Sequence, residues 1–192
     1  MSEWEDLRRA CEACRGCSLW ETRTNPVFGT GSETAELMFV GEAPGEKEDL
    51  SGIPFVGAAG RLLDKYLFAV DIPRESVYIA NILKCRPPKN RDPLPVEEDA
   101  CIPFLWRQID LIDPKVIVCL GRISAHRLIG DDFRISRDHG QWYTRRGRQV
   151  TAVFHPAALL RDPRRKGDML ADMKMIKQKL DGIASPGEEE KE

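Results

Sequence analysis

The chain is 192 residues long, 42% hydrophobic, 31% charged and 7% aromatic, with 15 Gly and 13 Pro. That composition excludes a disordered, collagen-like or coiled-coil chain, and the length predicts one domain able to bury a core without disulfide staples. The net charge of −2 hides an asymmetry, since five acidic groups face one Lys from Asp181 onward. Positive charge clusters at Arg86, Lys89 and Arg91, at Arg145, Arg146 and Arg148, and at Arg161, Arg164, Arg165 and Lys166. No apolar run approaches the roughly 20 residues of a membrane span, and the N-terminus lacks the basic start and apolar middle of a signal peptide. A soluble, cytoplasmic, monomeric protein with no membrane partner is expected.

In chain order, Leu37–Val40, Val77–Ala80, Val116–Leu120 and Val150–Phe154 read as buried strands. Between the first two, Ala58–Val70 has helical periodicity through Leu62, Leu63, Tyr66, Leu67 and Val70. Val96–Ile112 repeats it through Cys101, Leu105, Ile109 and Ile112, and Ser124–Ile129 is a short third helix. Gln141–Arg148 reads as a hairpin leading into the last strand, and Met169, Met173, Ile176 and Leu180 mark a closing amphipathic helix. Strands alternating with helices predict an α/β fold: a three-layer α/β/α sandwich with a central four-stranded, mainly parallel sheet. Residues 1–183 form the single domain and 184–192 a flexible acidic tail.

Such sheets bind ligands at the carboxyl ends of their strands. Here those ends carry Gly41-Glu42-Ala43-Pro44-Gly45, Asn81, Gly121 and His155-Pro156. The first motif lacks the Gly-Lys-Ser/Thr ending of a phosphate loop, but its glycines let a ligand approach the backbone closely. The Asn81 amide donates and accepts at once, as reading an imide edge such as that of uracil requires. A neutral His155 before a helix-starting Pro can donate to an anion forming in the site. Taken singly, the strand-end Asn is an ordinary turn former and the His an ordinary surface residue; together at one edge they form a candidate site.

Six cysteines in an intracellular chain point to a metal or cluster rather than disulfides. Cys119 lies inside a strand and reads as core. A four-thiolate site can draw on Cys11, Cys14 and Cys17, or on one C-x2-C pair with Cys85 and Cys101; zinc and iron–sulfur both accept four thiolates.

The motifs together resemble the family 4 uracil-DNA glycosylases, the iron–sulfur branch of that superfamily. The likeness runs from about Cys14 to Leu180 and rests on an ordered series of segments. These are Cys14-x2-Cys17-Ser-Leu, Val27-Phe-Gly-Thr-Gly31, Gly41-Glu-Ala-Pro-Gly45 with Glu48-Asp49, and Gly52-Ile-Pro-Phe-Val-Gly57. Asn81-Ile-Leu-Lys-Cys-Arg-Pro-Pro88, Asn90-Arg-Asp-Pro93, Cys101 and Phe154-His-Pro-Ala-Ala-Leu-Leu160 follow. The resemblance implies a 4Fe–4S cluster on Cys14, Cys17, Cys85 and Cys101, with Cys11 spare. It implies that uracil-containing DNA is the substrate, that Phe55 stacks on the extruded base, and that Asn81 pairs with its edge beside Gly41 and Ala43. It further implies that His155 stabilises the leaving uracil, Asn90 positions the water and Glu42 shapes the water side. Arg86, Arg91, Arg161 and Arg164 are candidates to hold phosphates, and one of Leu159 and Leu160 to wedge into the duplex while the other is core. The rival is a uracil-DNA trapping protein without turnover, which some members of the superfamily achieve through a His in a basic insertion; no His lies between Cys85 and Cys101.

Overall fold

The computed structural model describes residues 2–184. A capping box opens α1 (Glu3–Glu12), with the Ser2 hydroxyl accepting from Glu5 N–H and the Glu5 carboxylate accepting from Ser2 N–H. Then come β1 (Thr30–Gly31), β2 (Leu37–Gly41), α2 (Glu46–Ser51), α3 (Ala58–Ala69), β3 (Tyr78–Asn81), α4 (Pro95–Ile112) and β4 (Val116–Leu120). The second half adds α5 (Arg122–Leu128), α6 (Ile135–Asp138), β5 (Tyr143–Arg145), β6 (Arg148–Val153), α7 (Pro156–Arg161) and α8 (Lys166–Ala184).

The sheet has the order β1-β3-β2-β4-β6-β5. Its four inner strands are the expected ones and run parallel, but the sheet has six strands rather than four. The two additional strands pair antiparallel at the edges: β5 is the outer arm of the hairpin, and β1 is only two residues long, too short to leave a period in the sequence. Side chains alternate across the inner strands and sort the core into two halves. Met38, Val40, Tyr78, Ala80, Ile117 and Cys119 face α1, α4 and α5; Leu37, Phe39, Ile79, Val116, Val118 and Leu120 face α3, α7 and α8. This is the three-layer α/β/α sandwich, with both faces covered as an all-parallel core requires.

The last helix runs to Ala184, and residues 185–192 of the expected tail lie outside those described. No described helix is long and apolar enough to cross a membrane.

Candidate active site and cysteine pocket

At the carboxyl edge of the parallel strands lies a cavity of about 350 Å³, within the range of small-molecule sites. Glu42, Ala43, Phe55, Asn81, Asn90, Arg91, His155 and Arg161 all line it. The register explains the gathering: Gly41 and Asn81 are directly paired across β2 and β3, and His155 follows β6 on the far side of β4. Gly41 is required by closeness rather than by its dihedral angles. A Cβ there would stand 2.3 Å from Asn81 Oδ1 and 2.7 Å from Phe55 Cζ.

Asn81 is 2% exposed, and its Oδ1 is buried with no hydrogen-bond partner. Buried polar atoms are nearly always paired, so an orphaned acceptor on a cavity wall marks a place where a ligand donor belongs.

Phe55 adopts φ +55°, the left-handed region that costs a non-glycine residue about 1–2 kcal/mol. Its neighbours hold it there. Glu48 Oε1 accepts from Val56 N–H at 3.0 Å and Gly57 N–H at 2.8 Å, and Arg74 Nη2 donates to the carbonyls of Pro54 at 3.0 Å and Phe55 at 3.2 Å. Arg74 is itself paired with Asp64. Gly60 leaves room for the bend, since a Cβ there would fall 1.7 Å from Phe55 O. The result is a ring whose centroid lies 5.7 Å from the His155 imidazole, tilted by 32°.

His155 caps α7: its Nδ1 accepts from Ala157 N–H at 3.1 Å. Accepting at Nδ1 places the ring proton on Nε2. Burial, aided by the Arg161 cation, lowers the imidazole to about 4, so at neutral pH it is an uncharged donor. Glu42 moves the other way. Burial and the neighbouring Asp92 raise it to about 7, against the opposing pull of Arg122 and Arg161.

Asn90 lies at the exposed rim with φ +55°, its Oδ1 accepting from Arg86 Nε at 2.7 Å. Arg91 reaches the cavity, but both terminal nitrogens are spent on the buried Glu97, at 2.9 and 2.6 Å. Arg164 pairs with Asp162, whereas Arg161 pairs with no carboxylate among the described residues. Of the two leucines on α7, Leu159 is 1% exposed and packs in the core with Met169 and Met173, which removes it as a DNA contact; Leu160 is 45% exposed. A helix turns 100° per residue, so in this short helix Leu159 points into the core while Leu160 is carried round to its edge. Sequence reasoning missed Arg74, for which no local signal exists, and Arg122, whose signal is its place directly after the strand-end Gly121.

A second pocket is lined largely by cysteines. Cys11, Cys14, Cys17, Cys85 and Cys101 line it, with Leu19, Arg23, Lys84 and Phe104. Three sulfurs accept hydrogen bonds: Cys14 from Gly16 N–H at 3.4 Å, Cys85 from Arg23 Nη1 at 3.2 Å and Cys101 from Lys84 N–H at 3.2 Å. Burial raises Cys11 to about 12 and Cys101 to about 11 and pushes Cys85 up as well, so bare thiolates there need a cation. Lys84, 1% exposed and without a carboxylate partner among the described residues, supplies one positive charge that itself needs an anion. That complementarity fits a bound group held by four thiolates. No three His, Cys, Asp or Glu side chains among the described residues close on a point that suits one metal ion. Cys119 is buried in β4, away from this pocket, as its strand position predicts.

The family model of the uracil DNA glycosylase superfamily matches residues 28–178, a span that includes all four strand-end segments and two of the pocket cysteines. The chain belongs to the uracil-DNA glycosylase superfamily. It is 48% identical over 184 residues to a type-4 uracil-DNA glycosylase of Archaeoglobus fulgidus, covering 92% of each chain. Identity is 43% over 187 residues to the type-4 enzyme of Sulfurisphaera tokodaii, covering 93% of this chain and 85% of that one. With the Thermotoga maritima type-4 enzyme it is 46% over 162 residues, covering 82% and 83%. These relatives place the chain in the type-4 branch.

The raised Glu42 carboxyl predicts a pH dependence for this site. If its carboxylate is needed, kcat/KM rises as pH passes upward through about 7, where the free enzyme's Glu42 ionises. Glu42→Gln is expected to lower the rate about 10²-fold and abolish that limb, as read from single-turnover rates across neutrality. A limb that persists in Glu42→Gln would assign it to another group.

Proposed function

We propose that the chain is a DNA-repair enzyme that hydrolyses the N-glycosidic bond of uracil in DNA and leaves an abasic site. The observation that carries this reading is the unpartnered Asn81 Oδ1 in a cavity walled by Phe55 and His155. Uracil N3–H is the donor that oxygen lacks, and Asn81 Nδ2 can donate to uracil O4. Cytosine offers an unprotonated N3 and a 4-amino group, the reverse pattern, and a site built for one pattern rejects the other.

A base stacked in a duplex cannot reach the cavity, so the nucleotide flips out at a cost of a few kcal/mol. Stacking on Phe55 returns about 1–3 kcal/mol. Leu160, exposed on α7, is the side chain suited to fill the gap in the stack, and Arg161, Arg86 and Arg164 are the cations this reading assigns to phosphates. As the glycosidic bond breaks, negative charge grows on uracil O2 and positive charge on the sugar. His155 Nε2–H donates to the first, and a water held by Asn90 and Glu42 attacks the second. An intracellular monomer suits this work on DNA.

The cysteine pocket supports a 4Fe–4S cluster on Cys14, Cys17, Cys85 and Cys101. Its contribution is structural: a closed four-thiolate group staples the N-terminal segment to the connection between β3 and α4 and leaves no open coordination position. Cys11 lines the same pocket, so the ligand set is tested by substitution. Cys11→Ser is expected to retain iron, sulfide and the visible absorbance of the parent, whereas Ser at any of the other four positions loses them. Bleaching of Cys11→Ser would transfer ligand status to Cys11.

The activity itself is tested by incubating the protein with a uracil-containing oligonucleotide, cleaving abasic sites with alkali and resolving the fragments. Strand breaks at uracil and not at cytosine are expected. A shifted, denaturation-resistant band in place of breaks would overturn turnover in favour of trapping.

A further inference from the structure

The cysteine pocket is lined by one side chain that neither role absorbs. Lys84 follows β3 by three residues, and the chain there turns inward rather than out to solvent. Its Nζ donates to the backbone carbonyl of Asn81 at 3.0 Å and to Gln108 Oε1 at 2.6 Å. Gln108, fully buried on α4, is fixed by its own donations to Phe28 O at 2.9 Å and Tyr78 Oη at 3.1 Å. At its other end, Lys84 N–H donates to Cys101 Sγ. One residue therefore touches both the strand end that presents the base-reading amide and a cysteine of the second pocket.

A buried ammonium without a carboxylate is strongly disfavoured unless some anion lies close by. The groups that share its pocket are cysteines: Cys101, whose sulfur accepts from Lys84 N–H at 3.2 Å, with Cys11 and Cys85. A 4Fe–4S core with four thiolates carries net negative charge, and charges and hydrogen bonds around it set its potential. We infer that Lys84 is a positioning residue that couples the two pockets: its ammonium is the buried counter-ion of the cysteine-bound cluster and, held there, fixes the Asn81 carbonyl and with it the base-reading amide. The inference rests on the cluster and glycosylase readings above. It explains why a lysine, rather than an apolar residue of equal length, occupies a fully dry position.

The test uses the purified holoprotein and two variants. Lys84→Met is one atom shorter, fills nearly the same space and removes charge and donors; Lys84→Gln is equally shorter and removes the charge but keeps an amide able to donate to the Asn81 carbonyl. In Lys84→Met, iron release to a chelator is expected to be about 10–100-fold faster and the KM for uracil-DNA about tenfold higher, with kcat nearly unchanged. The cluster potential should move to more negative values, because a positive charge beside it is gone. Lys84→Gln should shift the potential equally and raise KM less. A merely space-filling lysine would lower thermal stability in both variants without moving the potential. Parent-like potential and iron release in both variants would overturn the inference, as would a shifted potential with parent-like KM. If Lys84→Met does not accumulate as folded protein, Lys84→Gln carries the same measurements. Failure of the underlying reading shows separately, as an unsubstituted protein that holds no iron or cleaves no uracil-DNA.

Discussion

His155→Ala is expected to bind uracil-DNA as the parent does while losing about 10²–10³ of its turnover, the usual consequence of deleting one preplaced donor to a developing anion. The direction follows from the cap geometry. Because Nδ1 is occupied by Ala157 N–H, the ring presents Nε2–H, and because burial lowers it to about 4 it does so without charge. An uncharged donor binds neutral uracil weakly and the departing anion strongly, so its loss falls on kcat rather than on binding. The same shift predicts a stability effect. The unfolded histidine takes up a proton near 6.5 and the folded one only near 4, so between those values the unfolded state binds more protons. Stability therefore falls as pH drops through that window, and His155→Ala should lessen the fall. Single-turnover rates beside a binding titration check the first claim. An unchanged rate would remove His155 from the chemistry.

The site was legible where apolar runs end in unusual residues. Asn81, His155 and Gly41-Glu42-Ala43 stand out because each follows a run that only a buried strand explains, and a parallel sheet brings such ends to one edge. What the sequence concealed was set by tertiary packing. Nothing local predicts the left-handed turn at Phe55, because the residues that hold it, Glu48 and Arg74, belong to separate parts of the chain. Leu159 and Leu160 are chemically alike, and only the packing of α7 against α3 decides which is core. Lys84 reads in sequence as an ordinary surface lysine and is among the most deeply buried large side chains. The edge strand β1 escaped for a different reason: two residues carry no periodicity.

Asn81→Ala should separate function from stability more sharply than any other substitution at this site. In the parent, Oδ1 is buried without a partner, and such a group burdens the folded state by about 1–3 kcal/mol. Removing the amide lifts that burden, so the melting temperature of Asn81→Ala is expected to be no lower than the parent's, although a methyl-sized side chain replaces a larger one. Catalysis pays the opposite way. Once uracil enters, its N3–H and O4 lie in a dry cavity with nothing opposite them, two desolvated groups at about 1–3 kcal/mol each, which predicts kcat/KM lower by about 10²–10⁴. The ratio of uracil to cytosine excision should collapse with it, since Phe55 stacks on either ring and His155 donates to either O2. Thermal melts paired with single-turnover assays on both bases decide the matter: a variant that is markedly destabilised but still prefers uracil would make Asn81 a structural residue and leave the reading of the base to another group.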